Sequence, residues 1–293
     1  MTDNEGALPS ETAVGRAGLV VNDLDSVSGF YRDVVGLAVR AREGGRATLG
    51  AGGEPLLELT ADPDAPDRSG RGAGLFHTAF RVPSRSALGD ALVRIEREWE
   101  LTGASDHHVS EALYLDDPEG NGVEVYRDRP RAEWPTDEDG RVEMDTLPLD
   151  VEALAADAGG EPSAPPGTDV GHVHLEVSDL SVARQFYAGT LGMNVRQEWG
   201  PDALFVAAGD YHHHVGLNAW NRRSEPRAGR GLDWFELVLP DEASLEAVRE
   251  RFEDGGVEVM PAEEGSTDGE TSDGGFELRD PDGIPVRLRV GAE

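Results

Sequence analysis

The chain has 293 residues, enough for two domains with their own cores, and carries 58 acidic against 26 basic residues for a formal net charge of −32. That acidic excess argues against nucleic acid and anionic membrane surfaces as partners, because both are polyanions, and the absence of cysteine excludes disulfides, a thiol nucleophile and thiolate ligands. Every basic residue is Arg and the acids are spread along the chain, a pattern expected of a salt-adapted, halophilic protein whose self-repulsion is screened at high ionic strength.

The opening MTDNEGALPSET has neither a basic segment nor an apolar core, and no apolar run approaches transmembrane length, so a soluble cytoplasmic protein is expected. A first unit then opens with RAGLVVNDLDSVSGFYRDVVGL, Arg16 to Leu37: a short apolar strand, an Asp-Leu start to a helix, and a stop at Gly36. Short strands with Gly-rich turns follow, and the Gly- and Arg-rich Arg68 to Gly74 connects to a second unit at LFHTAFRVPS, Leu75 to Ser84. That unit closes on the turn cluster Leu115 to Gly122, which feeds the strand Val123-Glu124-Val125-Tyr126. Arg127 to Asp145 is charged and broken by Pro130 and Pro135, a short helix is expected over Leu147 to Ala158, and Gly159 to Gly167 is a Pro-rich spacer.

The third unit, GHVHLEVSDLSVARQFYAGTLGM from Gly171 to Met193, repeats the first with an offset of 156 residues from Arg16 to His172. Its strand is His172 to Val177, Ser178-Asp179 offers cap oxygens, and an amphipathic helix is expected over Leu180 to Leu191 with its stop at Gly192. The fourth unit, DWFELVLPDE from Asp233 to Glu242, echoes the second at an offset of 157 from His77 to Trp234. After a Ser-, Thr-, Asp- and Gly-rich segment, Gly265 to Gly275, read as an exposed loop, it closes with Asp280-Pro281-Asp282-Gly283 feeding Ile284 to Val290. Each unit reads β-α-β-β-β. The halves are placed at 1–130 and 168–293, with 131–167 as linker.

The DL-x-x-x-x-x-FY-x-x-x-x-G opening and the closing DP-x-GN-x-x-E resemble the vicinal oxygen chelate superfamily of glyoxalases, bleomycin-resistance proteins and extradiol dioxygenases. SDHHVSEALYLDDPEGNGVEVYRDRPRAEWP (Ser105 to Pro135), GHVHLEVSDL and GDYHHHVGLNAWN (Gly209 to Asn221) resemble the two-domain catechol 2,3-dioxygenase group within it. The resemblance implies an α+β fold in which four βαβββ units pair into two cup-shaped mixed-sheet domains. It also implies metal ligands on the first and last strands of each unit.

Carried over position by position, these places hold Arg16 and Glu58 in unit one, His77 and Glu124 in unit two, His172 and Gly216 in unit three, and Trp234 and Arg287 in unit four. If units one and two share a cup, the candidates are Glu58, His77 and Glu124, opposed by Arg16. If units two and three share it, they are His77, Glu124 and His172, the two-His, one-carboxylate triad of non-haem Fe(II) oxygenases, and this pairing is favoured. His174, two residues from His172 on the same face, is an alternative ligand or a substrate contact. Continuing the strand through His212-His213-His214 would put His212, His214, Gly216 and Asn218 on one face, making His214 the expected acid/base, His212 its alternate and Asn218 a substrate contact. Tyr126, on the face of Glu124, is a further catalytic candidate, and His107-His108 a candidate entrance.

The function implied is extradiol cleavage of a small catechol-type aromatic diol by dioxygen, with Fe(II) as the expected metal and Mn(II) as its substitute; a homo-oligomer is left open. The fold also serves metal-dependent isomerases or lyases and metal-free binders of aromatic drugs.

Overall fold

The computed structural model describes residues 7–261 and 275–291, so the expected loop Gly265 to Gly275 lies, all but its last residue, outside the described residues. Unit one comprises β1 (Ala13–Val21), α1 (Leu24–Phe30), β2 (Ala38–Glu43), β3 (Arg46–Ala51) and β4 (Glu54–Ala61). Unit two comprises β5 (Gly74–Arg81), α2 (Arg85–Glu98), β6 (Gly103–Asp106), β7 (Ser110–Asp116) and β8 (Gly122–Asp128). The linker contributes β9 (Leu147–Pro148) and α3 (Val151–Ala156). Unit three follows with β10 (Asp169–Glu176), α4 (Leu180–Arg184), β11 (Asn194–Trp199), β12 (Ala203–Ala207) and β13 (Val215–Asn218). Unit four has β14 (Gly231–Leu239), α5 (Glu242–Asp254), β15 (Met260–Pro261), β16 (Phe276–Arg279) and β17 (Pro285–Val290).

Local chemistry sets these boundaries. Asp23 and Asp179 each cap a helix by accepting backbone N–H groups of the first turn, Ser26 in one case and Ser181 and Val182 in the other. The expected helix over Leu180 to Leu191 is α only to Arg184 and continues as a π turn over Gln185–Thr190, as α1 does over Tyr31–Val35. Gly36 (φ 92°) and Gly192 (φ 88°) then reverse the chain in the left-handed region open to glycine. The linker helix is shorter than expected, since Asp150 caps it through Ala153 N at 2.9 Å, while Leu147 and Pro148 pair in extended form with β6.

Within every unit the first strand pairs in parallel with the last, as in β1 with β4, β5 with β8, β10 with β13 and β14 with β17. The first strands then pair antiparallel across units, β1 with β14 and β5 with β10. Among the described residues the result is an eight-stranded sheet in the order β15-β16-β17-β14-β1-β4-β3-β2 and a nine-stranded sheet in the order β11-β12-β13-β10-β5-β8-β7-β6-β9. Unit one therefore shares a sheet with unit four, and unit two with unit three. The sequence halves 1–130 and 168–293 do not each form a sheet of their own: each gives one unit to each sheet, because the junction strands of a half pair with the other half.

Alternation along the strands divides their residues between two faces. In β10, Val173 and Leu175 are fully buried in the apolar core with Tyr187 and Leu191, and each such burial contributes about 1.5–3 kcal/mol. His172 and His174 point to the opposite face. The closing turns are alike in the two halves: Asp117 Oδ1 accepts from Glu119 N (2.8 Å) and Asn121 N (2.9 Å), and Asp280 Oδ1 from Asp282 N (2.9 Å) and Ile284 N (2.8 Å).

Candidate metal centre

Three adjacent strands bring three donors together. On β5, Ala79 lies opposite His172 of β10 on one side and Glu124 of β8 on the other, while His77 stands two residues away on the same face. The short Ala79 side chain leaves the space above it to the donors. His77 Nε2 is 3.0 Å from Glu124 Oε2, His172 Nε2 is 3.1 Å from the same oxygen, and the two imidazole nitrogens are 3.3 Å apart. Two donors at right angles on a first-row ion, with bonds of about 2.0–2.2 Å, stand about 3 Å apart, so the triangle fits one face of an octahedron.

The electrostatics agree. Burial alone would raise the Glu124 carboxyl, but His172 and His77 hold it well below the usual range, so it is an anion. Burial pushes the His172 imidazole down to about 4, so it is neutral and its Nε2 lone pair is available as a donor. His172 Nδ1 is buried with no hydrogen-bond partner among the described residues. Two imidazoles and one carboxylate converging on a point is a donor set for a divalent ion.

The donors open into a cavity of about 260 Å³ walled largely by aromatic side chains, among them Phe76, Tyr114, Trp199, Phe205 and Trp220. Met144 and Thr146 of the linker also line it, held in place by Gln197, whose Nε2 donates to Met144 O (2.8 Å) and whose Oε1 accepts from Met144 N (3.3 Å). The linker thus forms part of the cavity wall.

Other expected residues fall in different places. His174 lines the cavity beside His77, but its Nε2 accepts from Asn218 Nδ2 (3.1 Å), and it stands outside the donor triangle. Asn218 is fully buried and holds His174 instead of touching the cavity. Glu58 belongs to the other sheet, where Arg46 approaches it at 3.6 Å.

The histidine run departs most from expectation. β13 begins only at Val215, so the alternation used to aim His212 and His214 does not extend to them. His213, the middle residue, is the one that lines the cavity. His214 stacks on Tyr211 (4.9 Å between rings), accepts from Ala208 N through Nδ1 (3.1 Å), and is pushed by burial to about 3. His212 is turned away from the cavity toward Asp128, with Nε2 3.0 Å from Oδ1. Tyr126 shares the face of Glu124 but packs behind His172, ring to ring at 4.9 Å, with its hydroxyl 2.8 Å from that of Tyr211. Gly171 makes room for it, since a Cβ there would meet that hydroxyl at 1.8 Å.

Tyr114 was not foreseen. Its hydroxyl lies 2.7 Å from His107 Nε2, and His107 Nδ1 lies 2.6 Å from Asp145 O of the linker. Burial and the neighbouring Glu124 push the phenol well above its usual range, so it keeps its proton. The hairpin register places Tyr114 directly opposite Glu124, a relation that counting back from the Asp117 turn would have revealed. Of the entrance pair, His107 lines the cavity and His108 does not.

The family model described as Glyoxalase/Bleomycin resistance protein/Dioxygenase superfamily matches residues 13–125 and 169–288. The chain belongs to this superfamily. A protein named catechol-2,3-dioxygenase from Bacillus subtilis (strain 168) is 39% identical over 285 residues, which is 94% of this chain and 96% of that protein. Among solved structures, a Bacillus subtilis protein provisionally described as a dioxygenase aligns with TM-score 0.65 at 14% identity over 98% of this chain and 87% of its own. Glyoxalase I from Zea mays aligns with TM-score 0.58 at 18% identity over 96% of this chain and 92% of its own. These two likenesses are of fold. No helix among the described residues is long and apolar enough to cross a membrane.

Proposed function

We propose that this superfamily member is an extradiol dioxygenase that opens a catechol-type aromatic diol. The observation that carries the reading is the buried triangle of His77, Glu124 and His172 at the base of an aromatic-walled cavity. The 39% identity to a protein named catechol-2,3-dioxygenase supports it. Fe(II) is the metal proposed, with Mn(II) as its substitute: held by those three side chains, it would supply open positions for a vicinal diol and dioxygen.

The chain's own part follows from its side chains. Phe76, Trp199, Phe205 and Trp220 offer apolar faces to an aromatic ring and limit bulk water. His213, held neutral by burial, can accept a diol proton, and Tyr114, whose own proton goes to His107 Nε2, leaves its hydroxyl oxygen to accept a hydrogen bond from a diol hydroxyl. His214, His212 and Tyr126 are assigned no contact with substrate.

The test is metal content after anaerobic purification in high salt, coupled to oxygen uptake with catechol. About one equivalent of iron with stoichiometric oxygen consumption and a ring-opened product is expected. Turnover that ignores oxygen would assign an isomerase or lyase instead, and a metal-free protein that binds catechol without turnover would assign a binder. The net charge of −32 supports a separate proposal of salt adaptation, in which the melting temperature rises with KCl. A flat response would remove it.

A further inference from the structure

The run His212-His213-His214 is only partly used by the chemistry above, yet two of its rings join a carboxylate in one continuous chain. His213 Nδ1 is 2.8 Å from His212 Nδ1, and His212 Nε2 is 3.0 Å from Asp128 Oδ1. Asp128 closes β8, four residues beyond Glu124 and on the same face, so one strand carries both a metal-ligand candidate and the end of this chain. Asp128 accepts two further hydrogen bonds at Oδ2, from Arg81 Nη1 (3.0 Å) and the Tyr211 hydroxyl (3.0 Å).

Proton counting then fixes each ring. An ionised carboxylate can only accept, so the 3.0 Å contact requires the proton of His212 to sit on Nε2. In its neutral form His212 has one N–H, which leaves its Nδ1 with a lone pair. The 2.8 Å contact between the two Nδ1 atoms therefore requires the proton of His213 to sit on its own Nδ1. His213 Nε2, which has no protein hydrogen-bond partner among the described residues, is left as an acceptor on a ring that lines the cavity.

We propose that Asp128 and His212 are positioning residues that lock His213 in the Nδ1–H tautomer, so that its Nε2 lone pair faces the cavity. The opposite tautomer would present a donor there and could not take a proton from a diol hydroxyl. Asp128 and His212 do not line the cavity and are not members of the donor triangle; they act through His213. The proposal rests on the dioxygenase reading only for what His213 receives.

The test is nitrogen NMR of the full-length chain labelled with ¹⁵N-histidine and loaded with zinc(II), with His213 assigned by comparison with His213→Gln. The wild-type spectrum should show His213 protonated at Nδ1. In Asp128→Asn, Arg81 and Tyr211 keep the amide oxygen, which turns the NH₂ toward His212 and reverses both rings. His213 should then carry its proton on Nε2, as follows when an asparagine replaces the aspartate of a hydrolase triad. Iron-loaded Asp128→Asn should lose about 10–100-fold in kcat with metal content and KM little changed, the scale of an outer-shell partner. A wild-type His213 protonated at Nε2, or a tautomer that Asp128→Asn leaves unaltered, overturns the proposal. If Asp128→Asn does not fold, the wild-type spectrum decides alone. Failure of the two readings is distinguishable: a protein with the expected tautomer that cleaves no diol sinks the dioxygenase reading, whereas an active enzyme with the opposite tautomer sinks only this one.

Discussion

The two sheets are built from the same units in the same register, and they differ most where their central strands meet. In the nine-stranded sheet that junction holds His77, Ala79, Glu124 and His172; at the equivalent places in the eight-stranded sheet stand Trp234, Glu236, Arg287 and Arg16. Glu236 occupies the place of Ala79, and its carboxylate pairs with Arg16 at 2.7 Å and Arg289 at 3.3 Å. Trp234 lies with Arg287 over its ring at 4.1 Å and Arg16 at 5.6 Å. One junction thus gathers lone pairs that need a cation from outside, while the other carries its own cations and fills the space with them. Burial would raise Glu236, but Arg16 and Arg289 hold it below the usual range, so the charges satisfy one another. The fold tolerates either content, provided the buried charge is balanced.

The largest effect expected from this contrast is at Glu124. Glu124→Ala removes the only anion from the donor triangle, leaves two imidazoles, and should abolish both metal retention and turnover, read by metal analysis and oxygen uptake. Arg287→Ala, at the equivalent place in the other sheet, should leave both intact. If the two variants lose metal equally, the contrast between the junctions is void.

A second way to break it is Glu236→Ala, which removes the buried carboxylate that Arg16 and Arg289 share. The expected cost is about 3–5 kcal/mol of stability by chemical denaturation, with kcat unchanged in the protein that remains folded. A folded Glu236→Ala protein with impaired turnover would mean that the ion-paired junction reaches across to the metal centre.

Much of this was legible in the chain itself. The offset of 156 between Arg16 and His172 fixed which positions correspond, and the loss of His and Glu at Trp234 and Arg287 already marked unit four as unable to supply ligands. Pairing was less accessible, because it depends on which first strands meet antiparallel, a long-range choice that no local pattern records. Alternation failed at His212 to His214, where the chain bends before β13, so the side chain facing the cavity is one residue away from the place a continuous strand would give. It held for Tyr126, which is on the expected face, but depth along that face was not readable: the phenol lies behind His172, in the space that Gly171 leaves. Met144 and Thr146 were out of reach because a charged, Pro-broken linker gives no sign that it will fold over a cavity.

The smallest effect concerns a feature on which the two sheets agree, the Asp-Pro turn that closes the last strand. Burial raises the Asp280 carboxyl to about 6, above the reference value of 3.8, although it accepts two backbone N–H groups and a hydrogen bond from the Tyr187 hydroxyl at 3.0 Å. A raised value means that the folded state holds this proton more tightly than the unfolded chain. Its stabilising contribution is therefore complete below about pH 3.8 and is lost as pH rises through about 6. A difference of about two pH units amounts to on the order of 2–3 kcal/mol, constant at higher pH. Asp280→Asn keeps an oxygen for Asp282 N and Ile284 N and places an amide N–H toward Tyr187, whose hydroxyl oxygen can accept. Measured as the urea midpoint against pH, the variant should match the parent near pH 4 and exceed it at pH 7. The difference between the two curves isolates Asp280 from the other carboxylates. An advantage that is the same at pH 4 and pH 7 would show that the gain comes from packing, and that Asp280 is already ionised in the fold throughout this range.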